Sequence, residues 1–290
     1  MKKLNLKFFI LLISILLGTT LLYAVDNNTT DSNNTTVPAV PIHIMPLGDS
    51  ITYDFRLSDA TDPRPTSLRT GYRNHLWYML KDANYTADFV GSRVAGEAIT
   101  PHFDPDNEGH PGWTAVELAE NTYGYMINSR PDIVLLHIGT NDNAETPDGI
   151  NNILDQIDAY EGASGQSVRV FVSLIIGGQA AHAIKPFNDN LEKLIKQRII
   201  NGDNITLVDM YRTAGLTTSD FIDRIHPNDS GYRKMAQVWF KSLMAPYTPA
   251  LYAFPRTLVN SALIESLDVN EISHSVIFVT KIPNTGIIFY

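Results

Sequence analysis

The sequence predicts an α/β fold: a three-layer α/β/α sandwich around a five-stranded parallel sheet, followed by a short C-terminal β extension. Short apolar runs alternate along the chain with segments whose apolar residues recur at helical spacing. This alternation is typical of parallel strands joined by crossover helices, and strands that are apolar throughout suit a sheet covered on both faces. The predicted strands are Ile42–Leu47, Ala87–Val90, Ile133–Ile138, Val168–Ile176 and Ile205–Val208.

Helical spacing predicts the elements that connect these strands and one element that follows the last strand. They are residues 70–83, residues 113–128, a segment opened by Pro147, a segment around Phe187–Ile195, and residues 229–244. In the helix over 113–128, the spacing predicts a shared buried face for Val116, Ala119, Tyr123 and Ile127.

The N-terminus has the pattern of an export signal, and the rest of the chain divides into three further segments. Lys2, Lys3 and Lys7 precede and flank an apolar run that is short for a membrane span and ends near Ala24. We therefore expect a signal peptide over residues 1–24, with an uncleaved anchor as the alternative. A low-complexity linker over 25–39 precedes the main domain, residues 40–246, and residues 247–290 form a β-rich extension or the start of a second module.

Composition excludes several classes of function. Apolar residues make up 44% of the 290-residue chain, which rules out wholesale disorder. The net charge of −9 argues against a nucleic-acid partner, because phosphate backbones require a basic surface. Cysteine is absent, so a nucleophile must come from Ser, Thr, Asp, Glu, Lys or water.

Polar residues that could carry chemistry lie at or near the ends of the predicted strands, where open parallel sheets bind ligands. Ser50 follows the first strand, and its hydroxyl would need a base within hydrogen-bond reach. His226 is the candidate base, and Asp223 could accept a hydrogen bond from its ring and fix the tautomer. Each residue alone also fits an ordinary helix cap or loop position.

Two more residues could stabilise an oxyanion. The Asn141 amide follows a buried strand and could donate into the crevice, although Asn also caps turns. Gly112 precedes a helix and could present its backbone N–H; Gly91, which also ends a strand, competes for this role.

The order Ser50, Gly112, Asn141, His226 resembles the SGNH hydrolase superfamily, also called GDSL-type esterases. Over residues 40–246 several segments are similar to family-3 carbohydrate esterases, which include acetylxylan esterases. These segments are IMPLGDSIT, GYR at 71–73, DFVGS at 88–92, EGHPGW at 108–113, LLHIGTND at 135–142 and HPNDSGYRKMA at 226–236.

The resemblance implies a flavodoxin-like domain and a role for each motif residue. Ser50 would be the nucleophile, His226 the general base and then acid, and Asp223 the residue that orients His226. The Ser50 N–H, the Gly112 N–H and the Asn141 amide would form the oxyanion hole. No metal or cofactor is implied.

For other side chains near these motifs, the sequence gives weaker evidence of a functional role. Asp104, Asp106 and Glu108 resemble half of an EF-hand loop, but Ala115 stands where that loop needs Glu. His110 could line the pocket or structure its loop, and Trp113 could flank the acyl group or pack the helix start. His137 lies in a strand and is expected to be a buried, hydrogen-bonded histidine.

The resulting hypothesis is a secreted or cell-surface serine esterase that removes acetyl groups from polysaccharide. Acetylated carbohydrate or another small ester would be its partner, with no stable membrane span after signal removal. A lysophospholipase or short-acyl lipid esterase using the same residues is one alternative. A catalytically idle carbohydrate-binding or adhesion module is another.

Overall fold

A computed structural model describes residues 40–178, 181–246, 279–282 and 286–289. The predicted signal peptide and linker, and most of the C-terminal extension, lie outside the described residues. In the described part of the chain, no helix combines the length and apolar character needed to cross a bilayer.

Among the described residues, seven strands form the main sheet and two more form a separate antiparallel pair. The main strands are β1 Ile42–Gly48, β2 Ala87–Phe89, β3 Arg93–Val94, β4 Asp106–Gly109, β5 Ile133–His137, β6 Arg169–Ser173 and β7 Ile205–Val208. The separate pair, β8 Val279–Ile282 and β9 Gly286–Phe289, lies within the segment 247–290 that is predicted to be β-rich.

Four long helices and one of intermediate length cover the sheet, and two short helices follow strands β1 and β7. They are α1 Ser50–Tyr53, α2 Arg73–Asp82, α3 Ala115–Ser129, α4 Asp148–Ser164, α5 Ala181–Asn201, α6 Met210–Thr213 and α7 Asp229–Met244. Single 3₁₀ turns lie at Leu57–Ala60, Thr66–Leu68 and Thr218–Asp220.

The sheet confirms the predicted three-layer α/β class, and it differs from the prediction at one edge. Strands β1, β5, β6 and β7 are parallel neighbours in that order. On the other side of β1, β2 pairs with its first half and β4 with its last two residues. One of the five expected positions is therefore shared by two short parallel strands, and β3 adds an antiparallel edge to β4.

Alternate residues of the strands enter two separate cores. Met45, Val134 and Val170 pack on the face covered by α3, α4 and α5. Ile44, Leu135 and Phe171 pack on the opposite face, against α2 and α7. This division follows from the period of two along a strand and accounts for strands that are apolar throughout.

The buried face predicted for α3 is correct at Ala119, which is buried, and at Tyr123, which packs against the core, but wrong at Val116 and Ile127. Val116 and Ile127 are exposed, whereas Leu118, Thr122 and Met126 are buried. Gly149 in α4 lies so close to Ala115 and Val116 that an added Cβ would be 2.7 Å from the Val116 nitrogen. Because α3 packs closely on α4 at this point, the helix orientation follows this contact and not its most apolar stripe.

Candidate active site

Ser50 is positioned by a tight connection between β1 and α1. Asp49 caps α1, and its Oδ1 accepts a hydrogen bond from the Ile51 N–H at 2.9 Å. Gly48 permits the turn, because a Cβ there would lie 2.2 Å from the His137 carbonyl oxygen. As a result Ser50 stands at the carboxyl end of β1 as the first residue of α1, with only 5% of its surface exposed.

The structure brings Ser50, His226 and Asp223 into one hydrogen-bonded series. Ser50 Oγ lies 2.9 Å from His226 Nε2, although the residues are 176 positions apart. On the other side of the ring, His226 Nδ1 lies 2.9 Å from Asp223 Oδ2. The imidazole that connects the hydroxyl and the carboxylate is itself buried.

Asp223 is held by three backbone amides. The N–H groups of Ile225 and His226 each donate to Oδ1 at 2.8 Å, and the Leu57 N–H donates to Oδ2 at 3.0 Å. Partial burial raises the pKa of Asp223, but these hydrogen bonds outweigh it and leave the pKa below its ordinary value. Asp223 is therefore ionised at neutral pH and able to orient His226. No sequence motif indicated the contribution of Leu57.

The loop that carries Asp223 and His226 is closed on itself. Phe221 and Pro227 form an antiparallel bridge, and the Ile222 N–H donates to the His226 carbonyl at 3.0 Å. Gly178, after β6, lies so close to this loop that a Cβ would be 2.2 Å from the Arg224 carbonyl oxygen. The loop is thereby fixed against the carboxyl edge of the sheet.

Register places the other two candidates at the same edge of the sheet. Gly48 pairs with Gly109 of β4 and with His137 of β5. The segments that follow β1, β4 and β5 therefore leave the sheet at one level. They carry Ser50, Gly112 and Asn141 respectively.

Gly112 and Asn141 are connected through Trp113. The Asn141 Nδ2 donates to the Trp113 carbonyl at 2.8 Å, and the amide retains a second hydrogen. Gly112 has a φ of +84°, and open space lies where its Cβ would be. In the part of the chain that the structure describes, the N–H groups of Ser50 and Gly112 have no hydrogen-bond acceptor.

Gly91, the competing glycine, is in a different situation. A Cβ at Gly91 would lie 2.2 Å from the Asn107 carbonyl oxygen, so its close approach serves packing against β4. Gly112 is exposed and adjoins the residue that Asn141 contacts. The geometry favours Gly112 over Gly91 as an oxyanion donor.

Two further carboxyl groups lie beside the site. Asp49 is wholly buried, and burial raises its pKa from 3.8 to about 7, with the charge of Asp142 adding to the effect. Asp142 accepts a hydrogen bond from the Ala115 N–H at the start of α3, and burial raises its pKa as well. Asp49 is therefore only partly ionised at neutral pH, so this edge of the sheet carries less negative charge than its composition suggests.

The acidic residues of the EF-hand-like segment form hydrogen bonds with separate partners. Asp104 accepts hydrogen bonds from the backbone of Phe89 and Asp106, while Glu108 binds Ser92 and His110. Within the described ranges, no group of three His, Asp or Glu side chains could hold a metal ion. His137 is buried as predicted, and its Nε2 accepts a hydrogen bond from the Ile176 N–H at 3.4 Å.

A three-layer α/β domain with serine, histidine and aspartate hydrogen-bonded in series has the geometry of a serine hydrolase. The chain belongs to the GDSL-like lipase/acylhydrolase family, whose family model matches residues 47–234. The resemblance of the chain to the GDSL-type esterases is thereby confirmed.

One relative and two solved structures show which esterases this chain is similar to within the family. A multidomain esterase of Ruminococcus flavefaciens is 27% identical over 70% of this chain, which spans only 28% of that relative's length. The structure of a family 3 carbohydrate esterase of Clostridium thermocellum matches with 29% identity and a TM-score of 0.58, covering 70% of this chain and 94% of that one. An acetyl esterase variant with an acetate ion matches with 28% identity and a TM-score of 0.58, covering 70% of this chain and 96% of that one.

Proposed function

We propose that the protein is an exported serine esterase that hydrolyses O-acetyl esters on carbohydrate, with acetylxylan-like polysaccharide as the substrate. The observation that carries this proposal is the 2.9 Å separation between Ser50 Oγ and His226 Nε2, in series with Asp223. The names of two similar structures, a family 3 carbohydrate esterase and an acetyl esterase, support the acetyl-carbohydrate substrate. Export is proposed from residues 1–24 alone.

In the first step, Ser50 Oγ attacks the ester carbonyl while His226 Nε2 takes its proton. Asp223, ionised and held by three backbone amides, keeps the proton on Nδ1 and stabilises the imidazolium that forms. His226 then returns the proton to the departing sugar hydroxyl. The product of this step is an acetyl ester of Ser50.

In the second step, water attacks the acetyl-serine with His226 again acting as the base. In both steps negative charge develops on the former carbonyl oxygen. The N–H groups of Ser50 and Gly112 and the second amide hydrogen of Asn141 stabilise this charge. Such donors act mainly in the transition state, so they raise kcat more than they lower KM.

A second candidate function is hydrolysis of short-acyl lipids or lysophospholipids with the same residues. The observation that favours it is a cavity of about 350 Å³ that adjoins both the loop of Asn141 and the loop of His226. Its lining includes Ile175, Ile176 and Phe187, which suit an acyl chain longer than acetyl.

The experiment is turnover of a chromogenic acetyl ester by the wild type and by Ser50→Ala. We expect the substitution to lower kcat by ~10⁶, as loss of the nucleophilic serine does in a serine protease with a triad of the same residue types. Melting curves of both proteins control for folding. Activity of Ser50→Ala within tenfold of the wild type would refute the assignment.

A panel of esters then tests the substrate class. Acetylated xylan, other acetylated glycans and lysophospholipid are compared with the same enzyme preparation. We expect kcat/KM to be highest on acetylated xylan. Preference for lysophospholipid would establish the second candidate instead.

A further inference from the structure

Next to the candidate site lies a second carboxylate–histidine pair that the proposed mechanism does not use. Glu108 is wholly buried at the end of β4, and its Oε1 lies 2.6 Å from His110 Nε2. Ser92 donates to the same carboxylate through its N–H at 2.7 Å and through its hydroxyl at 2.8 Å. A buried carboxylate with three donors is a rigid anchor, and the ring of His110 is tied to it.

The same ring is packed between two aromatic side chains. Its centroid is 4.2 Å from that of Trp113 with an interplanar angle of 24°, and 5.2 Å from that of Tyr125 with an angle of 17°. The His110 backbone is fixed as well, because its N–H donates to the Gly48 carbonyl at 2.8 Å. Both the ring and the backbone of His110 are therefore immobilised beside the β1–α1 connection that carries Ser50.

His110 and Trp113 are the two ends of the turn that contains Gly112. The Trp113 N–H donates to the His110 carbonyl at 3.2 Å, with Pro111 and Gly112 between them. Proline followed by a glycine at positive φ is the sequence of a type II turn, whose end residues here are His110 and Trp113. The direction of the Gly112 N–H thus depends on how His110 and Trp113 are held.

The other oxyanion candidate depends on the same turn, since the Asn141 amide donates to the Trp113 carbonyl. We propose that His110, tied to Glu108 and stacked on Trp113, is a positioning residue that orients both the Gly112 N–H and the Asn141 amide toward the developing oxyanion. This proposal rests on the proposed function, because it assigns His110 an effect on the same esterase reaction.

The test separates the bond to Glu108 from the aromatic stack. His110→Phe preserves the stack and removes the bond, whereas His110→Gln places an amide nitrogen near the position of Nε2 and preserves the bond. For His110→Phe we expect kcat on the chromogenic acetyl ester to fall ~10²-fold, the usual effect of one lost oxyanion donor, with KM within threefold. The kcat of His110→Gln should be at least tenfold higher than that of His110→Phe.

A double-mutant cycle with Asn141→Ala distinguishes positioning from a general structural role. Asn141→Ala alone should lower kcat by ~10²–10³. If His110 acts through the oxyanion hole, the loss of kcat in the combined variant His110→Phe, Asn141→Ala will be at least tenfold smaller than the product of the two single losses, because the part of the His110 effect that acts through Asn141 is already lost. Independent effects would instead multiply to ~10⁴–10⁵.

Two controls keep the result interpretable. His102→Phe changes an exposed histidine and should leave kcat unchanged. Glu108→Gln preserves the buried volume but removes the charged acceptor, and it replaces His110→Phe in the cycle if that variant does not fold. Glu108→Gln should lower kcat at least tenfold, and this loss should not multiply fully with the loss caused by Asn141→Ala.

Three results would overturn the proposal: kcat of His110→Phe within threefold of the wild type, a loss that appears in KM, or multiplicative losses in the cycle. Failure of the esterase function is recognised separately, because Ser50→Ala would then retain activity or the wild type would have none. If Ser50→Ala is inactive and His110→Phe is normal, only the role of His110 is refuted.

Discussion

Asp223 is the residue whose hydrogen bonds make the sharpest prediction about activity. Replacement by Asn keeps the size of the side chain, but removes the charge and allows the wrong His226 tautomer. We expect Asp223→Asn to lower kcat on the chromogenic acetyl ester by ~10⁴. Asp82→Asn, at an exposed position in α2, is the matched control. A loss of less than tenfold would remove Asp223 from the mechanism.

Asp49 makes a prediction about stability and pH. Its pKa is about 7 in the folded protein and near 3.8 in the unfolded chain, so between these values only the folded protein holds the proton. Stability from this group therefore falls as the pH rises toward 7. Asp49→Asn has no ionisable group at this position, so its stability does not fall for this reason as the pH rises.

The measurement is urea unfolding of the wild type and Asp49→Asn at pH 5 and at pH 8. Because a pKa unit corresponds to ~1.4 kcal/mol, the wild type should lose about 3 kcal/mol relative to the variant over this range. An equal difference between the two proteins at both pH values would show that Asp49 is ionised throughout.

Among the site residues, the sequence predicted which side chains would meet, but not what holds them. Ser50, Asp223 and His226 stand in motifs that can be read along the chain. The amide of Leu57 cannot be found in this way, because any residue supplies an N–H and only the path of the loop brings this one to Asp223. The segment HPGW indicates a proline–glycine turn between the rings of His110 and Trp113. The sequence did not decide whether His110 lines the pocket or structures its loop.

At the scale of elements, Arg73 joins α1, the helix that begins with Ser50, to two neighbouring segments. It is wholly buried at the start of α2, and its Nε donates to the Thr52 carbonyl of α1 at 3.0 Å. Its other nitrogens donate to the carbonyls of Ala95, Pro105 and Arg69. Burial lowers its pKa to about 10, so the side chain remains charged at neutral pH.

We expect Arg73→Met to destabilise the fold by more than about 3 kcal/mol, because it leaves several buried carbonyls without donors. Arg233→Met is the control, since Arg233 is exposed on α7 and forms only a surface pair with Asp229. Urea unfolding measures both variants. Equal urea midpoints for Arg73→Met and Arg233→Met would show that water molecules, or relaxation of the surrounding structure, replace the hydrogen bonds that Arg73 donates.

Most element types were predictable from the sequence, whereas the orientation of α3 and the β2–β4 edge were not. Strand β7 and helix α7 have the predicted bounds because their apolar patterns are strong and unambiguous. In α3 the buried face includes Ala115, Ala119 and Thr122, whose small side chains give a weak pattern next to Val116 and Ile127. Strand β4, DNEG, has no apolar residue and is defined only by its pairing with β1.

For the whole molecule, the parallel sheet explains why residues distant in sequence form one site. Each parallel strand delivers its following loop to the same edge, and the division of one sheet position between β2 and β4 brings the Gly112 turn beside Ser50. Because the chain spans 28% of the multidomain relative, the esterase proposal applies to the residues that form this sheet and its covering helices.

The central claim is that Ser50 carries the acyl group, and covalent labelling tests it most directly. The protein is treated with diethyl p-nitrophenyl phosphate, which transfers a phosphoryl group to activated serines, and the modified peptide is identified by mass spectrometry. We predict one label per molecule on Ser50, formed in step with loss of esterase activity and absent from His226→Ala. Complete loss of activity with Ser50 unmodified would contradict the account.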